Sequence, residues 1–103
     1  MLIMNPNTLT EQLGLFLDVL EAGSFSAAAR RHPLTPSAVA RRIDSLENAV
    51  GTTLFMRTTH AVVATAAGQA FAERARRIVA ELQLARAEAV SPVSYTHLRA
   101  HET

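Results

Sequence analysis

A chain of 103 residues has room for one small domain with a limited core and leaves none for a second domain able to hold an effector. Hydrophobic residues make up 49% of it, yet no apolar run approaches the roughly 20 residues that cross a bilayer, and cysteine is absent. Transmembrane spans, disulfide frameworks and thiolate metal sites are thereby excluded, and packing alone must hold the fold. The formal net charge of +1 hides a division along the chain. Residues 1–23 carry Glu11, Asp18 and Glu21 and no base, whereas residues 24–58 carry five arginines against Asp44 and Glu47. The middle is the basic part, where a local surface for an acidic partner is expected. All ten basic residues are arginine. That suits forked contacts to phosphate or guanine and is equally what a GC-rich genome produces.

The opening residues, Met1 to Pro6, show no basic stretch followed by a long apolar one, so no export signal is expected and the protein is assigned to the cytoplasm. Thr8, Leu9, Thr10 and Glu11 read as a capping box at a helix start. Leu13, Phe16, Leu17 and Leu20 follow at spacings of three and four as one apolar stripe, and Gly23 is placed to end the helix in the left-handed conformation. That stripe predicts core. Ser24 caps a short second helix whose alanines let a neighbour approach closely. Pro33 forces a turn at His32, and Thr35 and Pro36 restart a helix with an N-cap and a proline at N1.

The third helix is expected from Pro36 to Ala49. Val39, Ile43, Leu46 and Val50 give its buried face, Gly51 stops it, and Ser37, Ala40, Arg41 and Asp44 look outwards. Two helices joined by a tight turn, the second with a basic exposed face, make a helix-turn-helix whose second helix suits the major groove of duplex DNA. Two short apolar runs, 54–57 and 61–64, flank Thr58, Thr59 and His60 and read as a hairpin or wing. Thr65 caps a long helix to about Ala89, along which Phe71, Ala75, Ile78, Leu82 and Ala85 recur at four and three. A helix this long cannot bury such a heptad-like seam against so small a domain, which implies a second copy of the chain. The competing reading is that the seam folds back on its own domain.

The fold class is therefore all-α with a small β wing, divided into a winged helix-turn-helix over residues 8–64, a linker or dimerisation helix over 65–90, and a tail over 91–103. The run from Leu15 to Ala29, Thr35 to Ile43, Leu46, Glu47, Gly51, Leu54, Phe55, Arg57 and Thr65 to Gly68 together resemble the N-terminal domain of LysR-type transcriptional regulators. The landmarks occur in order and at the right spacing over roughly residues 8–88. The resemblance implies a winged helix-turn-helix DNA-binding domain, dimerisation through the long helix, tetramers in the intact protein, a nucleoid-associated bacterial regulator, and binding to interrupted inverted repeats in promoters. It also implies that the effector-binding domain, and with it the small-molecule site, is missing here.

Carried over residue by residue, the resemblance puts Thr35, Pro36, Ser37, Arg41 and Arg42 at the start of the recognition helix, with Arg41 the firmest transfer. Pro36 stands where the family commonly has glutamine, and Ala40 where it has serine or threonine, so an amide and a hydroxyl for base reading are lost. Ser24 and Ser26 suit phosphate at the start of the second helix, and Arg57 and Thr58 in the wing resemble the family residues that reach phosphates or the minor groove. Arg30, Arg31 and Arg42 read equally as solvated surface arginines, and Ser24 and Thr35 are helix caps whatever else they do.

His97 and His101 stand four apart but lack a third ligand and any helix signal, so no metal and no cofactor are expected. Residues 93–103 resemble the in-frame translation of a sequencing-library adapter, with a natural unstructured tail as the competing reading. No paired carboxylates in a pocket, Gly-rich phosphate loop or partnered nucleophile is present, so an enzyme is not expected. The alternative to DNA binding is a helical protein-interaction module that uses the basic face on an acidic protein.

Overall fold

A computed structural model describes residues 8–59 and 61–90, so the predicted tail and His97 and His101 lie outside the described residues. Four helices and one hairpin follow in the order α1 (Leu9–Ala22), α2 (Phe25–Ala29), α3 (Pro36–Val50), β1 (Phe55–Arg57), β2 (Val62–Ala64) and α4 (Ala66–Val90). Each helix starts on a hydroxyl, as short-range capping chemistry requires. Thr8 Oγ1 accepts from the Glu11 amide at 3.3 Å, Ser24 Oγ from Ala27 at 3.0 Å, Thr35 Oγ1 from Ala38 at 3.1 Å and Thr65 Oγ1 from Gly68 at 2.9 Å. Gly23 and Gly51 end α1 and α3 at φ 79° and 92°, the left-handed region closed to most side chains.

The helices α1, α2 and α3 pack around one core that β1, β2 and the first half of α4 complete. Phe16 is its centre, 5.1 Å between ring centroids from Phe55 of the wing and 5.3 Å, edge-on, from Phe71 of α4. Val19, Val39, Ile43, Leu46 and Leu54 are fully buried around it, each adding roughly 1.5–3 kcal/mol of burial free energy. Leu15 and Val19 join Leu13 and Phe16 in the buried face of α1, while Leu17 and Leu20 are only half-buried. Val50, expected in the core, is exposed, because Gly51 ends the helix there and the chain turns away toward the wing.

The wing is an antiparallel pair with Phe55 opposite Ala64, Met56 opposite Val63 and Arg57 opposite Val62. Phe55, Val62 and Ala64 face the core, and Met56 and Val63 face outwards. Two backbone bonds fasten the pair to the helices: the Val62 amide donates to the Gly23 carbonyl at 3.0 Å and the Thr65 amide to the Leu54 carbonyl at 3.0 Å. The second sits where α4 begins. A Cβ on Gly68 would lie 2.0 Å from that same Leu54 oxygen, so only glycine lets α4 approach the wing this closely.

The predicted seam of α4 divides between two roles. Phe71 and Ala75, assigned above to dimerisation, belong to the domain's own core: Phe71 packs on Phe16 and Ala75 is fully buried. Heptad spacing records which residues share a face and not what covers that face. Beyond Val79 no residue of α4 is buried; Ile78 is 53% exposed, Leu82 half-buried, and Leu84, Ala85 and Val90 exposed. A 25-residue helix is about 37 Å long, so its second half runs beyond the core of a molecule measuring 54 × 28 × 26 Å.

Candidate nucleic-acid interface

One side of the domain gathers the start of α3, the start of α2 and the wing. The Thr35 hydroxyl and the proline at N1 set the start of α3 and leave Thr35, Pro36 and Ser37 exposed. One turn further along the same face, Arg41 is exposed, and among the described residues it makes no hydrogen bond or ion pair. It lines a shallow depression with Ala38, Arg42 and Ser45. Arg42 is half-buried and does have a partner. This stretch therefore presents an unengaged guanidinium beside a second one, next to short polar groups.

Beside it lies a cleft of about 230 Å³ lined by Ser24, Phe25, Ser26, Pro36, Arg57, Thr58, Thr59, Ala61 and Val62. Five predicted site residues from three elements, Ser24, Ser26, Pro36, Arg57 and Thr58, thus share one concavity although up to 34 positions separate them in sequence. The Ser24 oxygen accepts from Ala27 and keeps its own proton to donate. Ser26 is exposed. Thr58 closes the wing turn: its hydroxyl donates to the Ala61 carbonyl at 3.2 Å and accepts from the Ala61 amide at 3.0 Å.

Arg57 does not stand free. Its Nη2 donates to Asp44 Oδ1 at 2.7 Å and to Glu47 Oε1 at 3.1 Å, both on α3, and its guanidinium carbon lies 5.1 Å from the centroid of the Phe25 ring. The second oxygen of Glu47 accepts from the Leu54 amide at 2.8 Å and the Phe55 amide at 3.1 Å. Sequence reasoning gave Glu47 only as a landmark of the family resemblance and assigned it no role. Its partners lie seven to ten residues away, although the alternation of a strand does place Arg57 on the same face as the buried Phe55.

On the opposite flank Arg31 donates to Glu21 at 2.7 Å and lies 3.8 Å from Asp18, and His32 Nε2 sits 2.6 Å from Asp18 Oδ2. The turn between α2 and α3 is thereby tied to α1, which gives His32 a structural part, and Arg31 is engaged away from the α3 face. Arg30 is exposed and carries no such pair among the described residues. Among those residues no group of three or more His, Cys, Asp or Glu is placed to hold a metal ion, and no helix is long and apolar enough to cross a membrane.

Residues 10–69 match the family described as bacterial regulatory helix-turn-helix protein, lysR family. Among curated proteins, the HTH-type transcriptional regulator ClcR of Pseudomonas putida is 41% identical over 90 residues, covering 85% of this chain and 31% of that protein. The probable HTH-type transcriptional regulator LtrA of Klebsiella pneumoniae is 40% identical over 76 residues, 74% of this chain and 24% of that protein. The chain thus spans about a quarter to a third of the length of these relatives. Among solved structures, the CbnR_DBD–DNA complex superposes with a TM-score of 0.72 at 37% identity, over 85% of this chain and 99% of the other.

Proposed function

This chain belongs to the LysR family of bacterial regulatory helix-turn-helix proteins, and from that premise we propose that it binds duplex DNA in a sequence-specific way as the DNA-binding part of a transcriptional regulator. The observation that carries the reading is the exposed, unpaired Arg41 on the outer face of α3, flanked by the Ser24, Ser26 and wing cleft. In this reading α3 enters the major groove, where Ser37, Arg41 and Arg42 meet base edges, and Pro36 and Thr35 fix the helix start against the backbone. Ser24 and Ser26 donate to phosphates, and the wing, its turn closed by Thr58, lies along the backbone or the minor groove. Similarity to a protein solved on DNA supports the DNA-binding reading.

Residues 8–64 form the DNA-reading unit and 65–90 the linker. Two copies pair through Ile78, Leu82 and Ala85, the part of the seam left uncovered by the domain's own core, so that two half-sites of a promoter inverted repeat are read together. The protein acts in the cytoplasm at the nucleoid, and higher assembly and effector response belong to the longer regulator.

Selection from a random duplex pool by this chain, at several salt concentrations and with Arg41→Ala as control, tests the proposal. Enrichment of a spaced inverted repeat that is lost with Arg41→Ala is the expected result. Uniform binding that fades with salt would leave a non-specific basic module, and no binding at low salt would sink the reading.

A further inference from the structure

Arg57 has the sequence position of a phosphate contact and the surroundings of an internal brace. Its side chain is 33% exposed and meets two carboxylates and an aromatic face. Arg57, Asp44 and Glu47 together carry one net negative charge, so a phosphate approaching this group gains no attraction from it. Moving Nη2 of Arg57 to a phosphate would leave Glu47, whose side chain is only 14% exposed, without its counter-charge. Strand alternation puts Arg57 on the same side of β1 as the buried Phe55, at its exposed edge, whereas Met56 between them points the other way. Glu47 meanwhile holds the first two backbone amides of the wing through its other oxygen.

We infer that Glu47 is a positioning residue that sets the wing against the recognition helix, and that Arg57 is the strut completing this join and is not spent on a DNA phosphate. Only the consequence for DNA rests on the function proposed above; the join itself does not. One carboxylate thus fixes the distance between the two elements that grip the duplex. The cationic attraction of this face comes from Arg41 and its neighbours on α3.

Amide hydrogen exchange on the free 103-residue chain tests the join without DNA. Glu47→Ala should speed exchange at Leu54 and Phe55 at least tenfold relative to the core amides of Val19 and Ile43, which serve as monitors of global stability. Glu47→Gln, which keeps an oxygen for those amides and turns N–H groups toward Arg57, should leave them protected. Protection unchanged in Glu47→Ala would overturn the inference.

Salt titration on the duplex recovered by selection tests the strut. Arg57→Ala should lower the preference for that duplex over random DNA about fivefold and leave the slope of log affinity against log salt where it was. A slope reduced by about 0.9, the signature of one lost phosphate contact, would overturn the strut. Arg57→Lys keeps the charge and loses the fork, so it should recover little of the preference, and full recovery by lysine would equally overturn it. If the unmodified chain binds no duplex at low salt, the DNA reading fails, and the exchange at Leu54 and Phe55 alone then decides the join.

Discussion

The two longer helices of the domain, α3 and α4, divide their surfaces in different ways. Along α3 the division is by face: Val39, Ile43 and Leu46 are buried from one end to the other, and the opposite side carries Ser37, Arg41 and Asp44. Along α4 it is by length: Gly68, Ala72 and Ala75 are buried in the first half, and the second half leaves Ile78, Leu84 and Val90 exposed. The apolar face of α3 is thus used within the domain as far as Leu46, and the opposite side is polar and suited to a charged partner. The apolar face of α4 is half used, and its remainder is suited to a partner of the same character. One helix is largely finished by its own chain, and the other leaves the apolar surface on which the proposed pairing of two copies rests.

Substitutions that break this contrast should do so on different observables. Ile43→Ala, at a fully buried position of α3, should cost roughly 2–5 kcal/mol of folding stability, measured by denaturant unfolding; a loss below 1 kcal/mol would mean that the inner face is loosely packed. Gly68→Ala should cost about 3 kcal/mol, because the new methyl meets a backbone oxygen and not a movable side chain, and an unchanged melting temperature would show that α4 can back away from the wing. Leu82→Glu, in the projecting half of α4, should weaken self-association by about 1.5–3 kcal/mol with little change in the stability of the monomer, as read by sedimentation and melting. Identical sedimentation would remove α4 from the assembly surface. Arg41→Ala should leave melting untouched and lower specific DNA affinity by roughly 1–3 kcal/mol, sharpening the outer face of α3 as the reading surface; an unaltered specificity ratio would take Arg41 off it. Deleting residues 92–103 should change stability by less than about 0.5 kcal/mol, and a lower melting temperature would give the tail a share in packing.

What the sequence made legible follows from how local each interaction is. Thr8, Ser24, Thr35 and Thr65 bind amides three residues away, so their cap roles can be read from short windows, and all four cap as expected. The hairpin and the inner faces of α1 and α3 were legible from periodicity, with Leu15 and Val19 missed because they widen the stripe on α1 beyond its strict spacing. Gly68 was part of a family resemblance without a reason. Its reason is the Leu54 carbonyl, fourteen residues earlier in the chain and adjacent only after folding. The role of Glu47, another landmark of that resemblance, was hidden for the same cause, since nothing local distinguishes a carboxylate that anchors a wing from one that is solvated. The share of the α4 seam buried at home was equally beyond reach, because Phe71 and Ile78 fit one repeat although only Phe71 packs on Phe16.

Leu54 deserves a mechanical reading. Its side chain is buried, its amide is held by Glu47 of α3, and its carbonyl accepts from Thr65 and lies against Gly68 at the start of α4. It is therefore a fulcrum. The rod that leaves the domain bears on it at one end, and the helix proposed to read DNA is tied to it by a carboxylate. A torque applied to the far end of α4 acts on a long arm about this point, and Glu47 is a direct linkage from there to the reading helix.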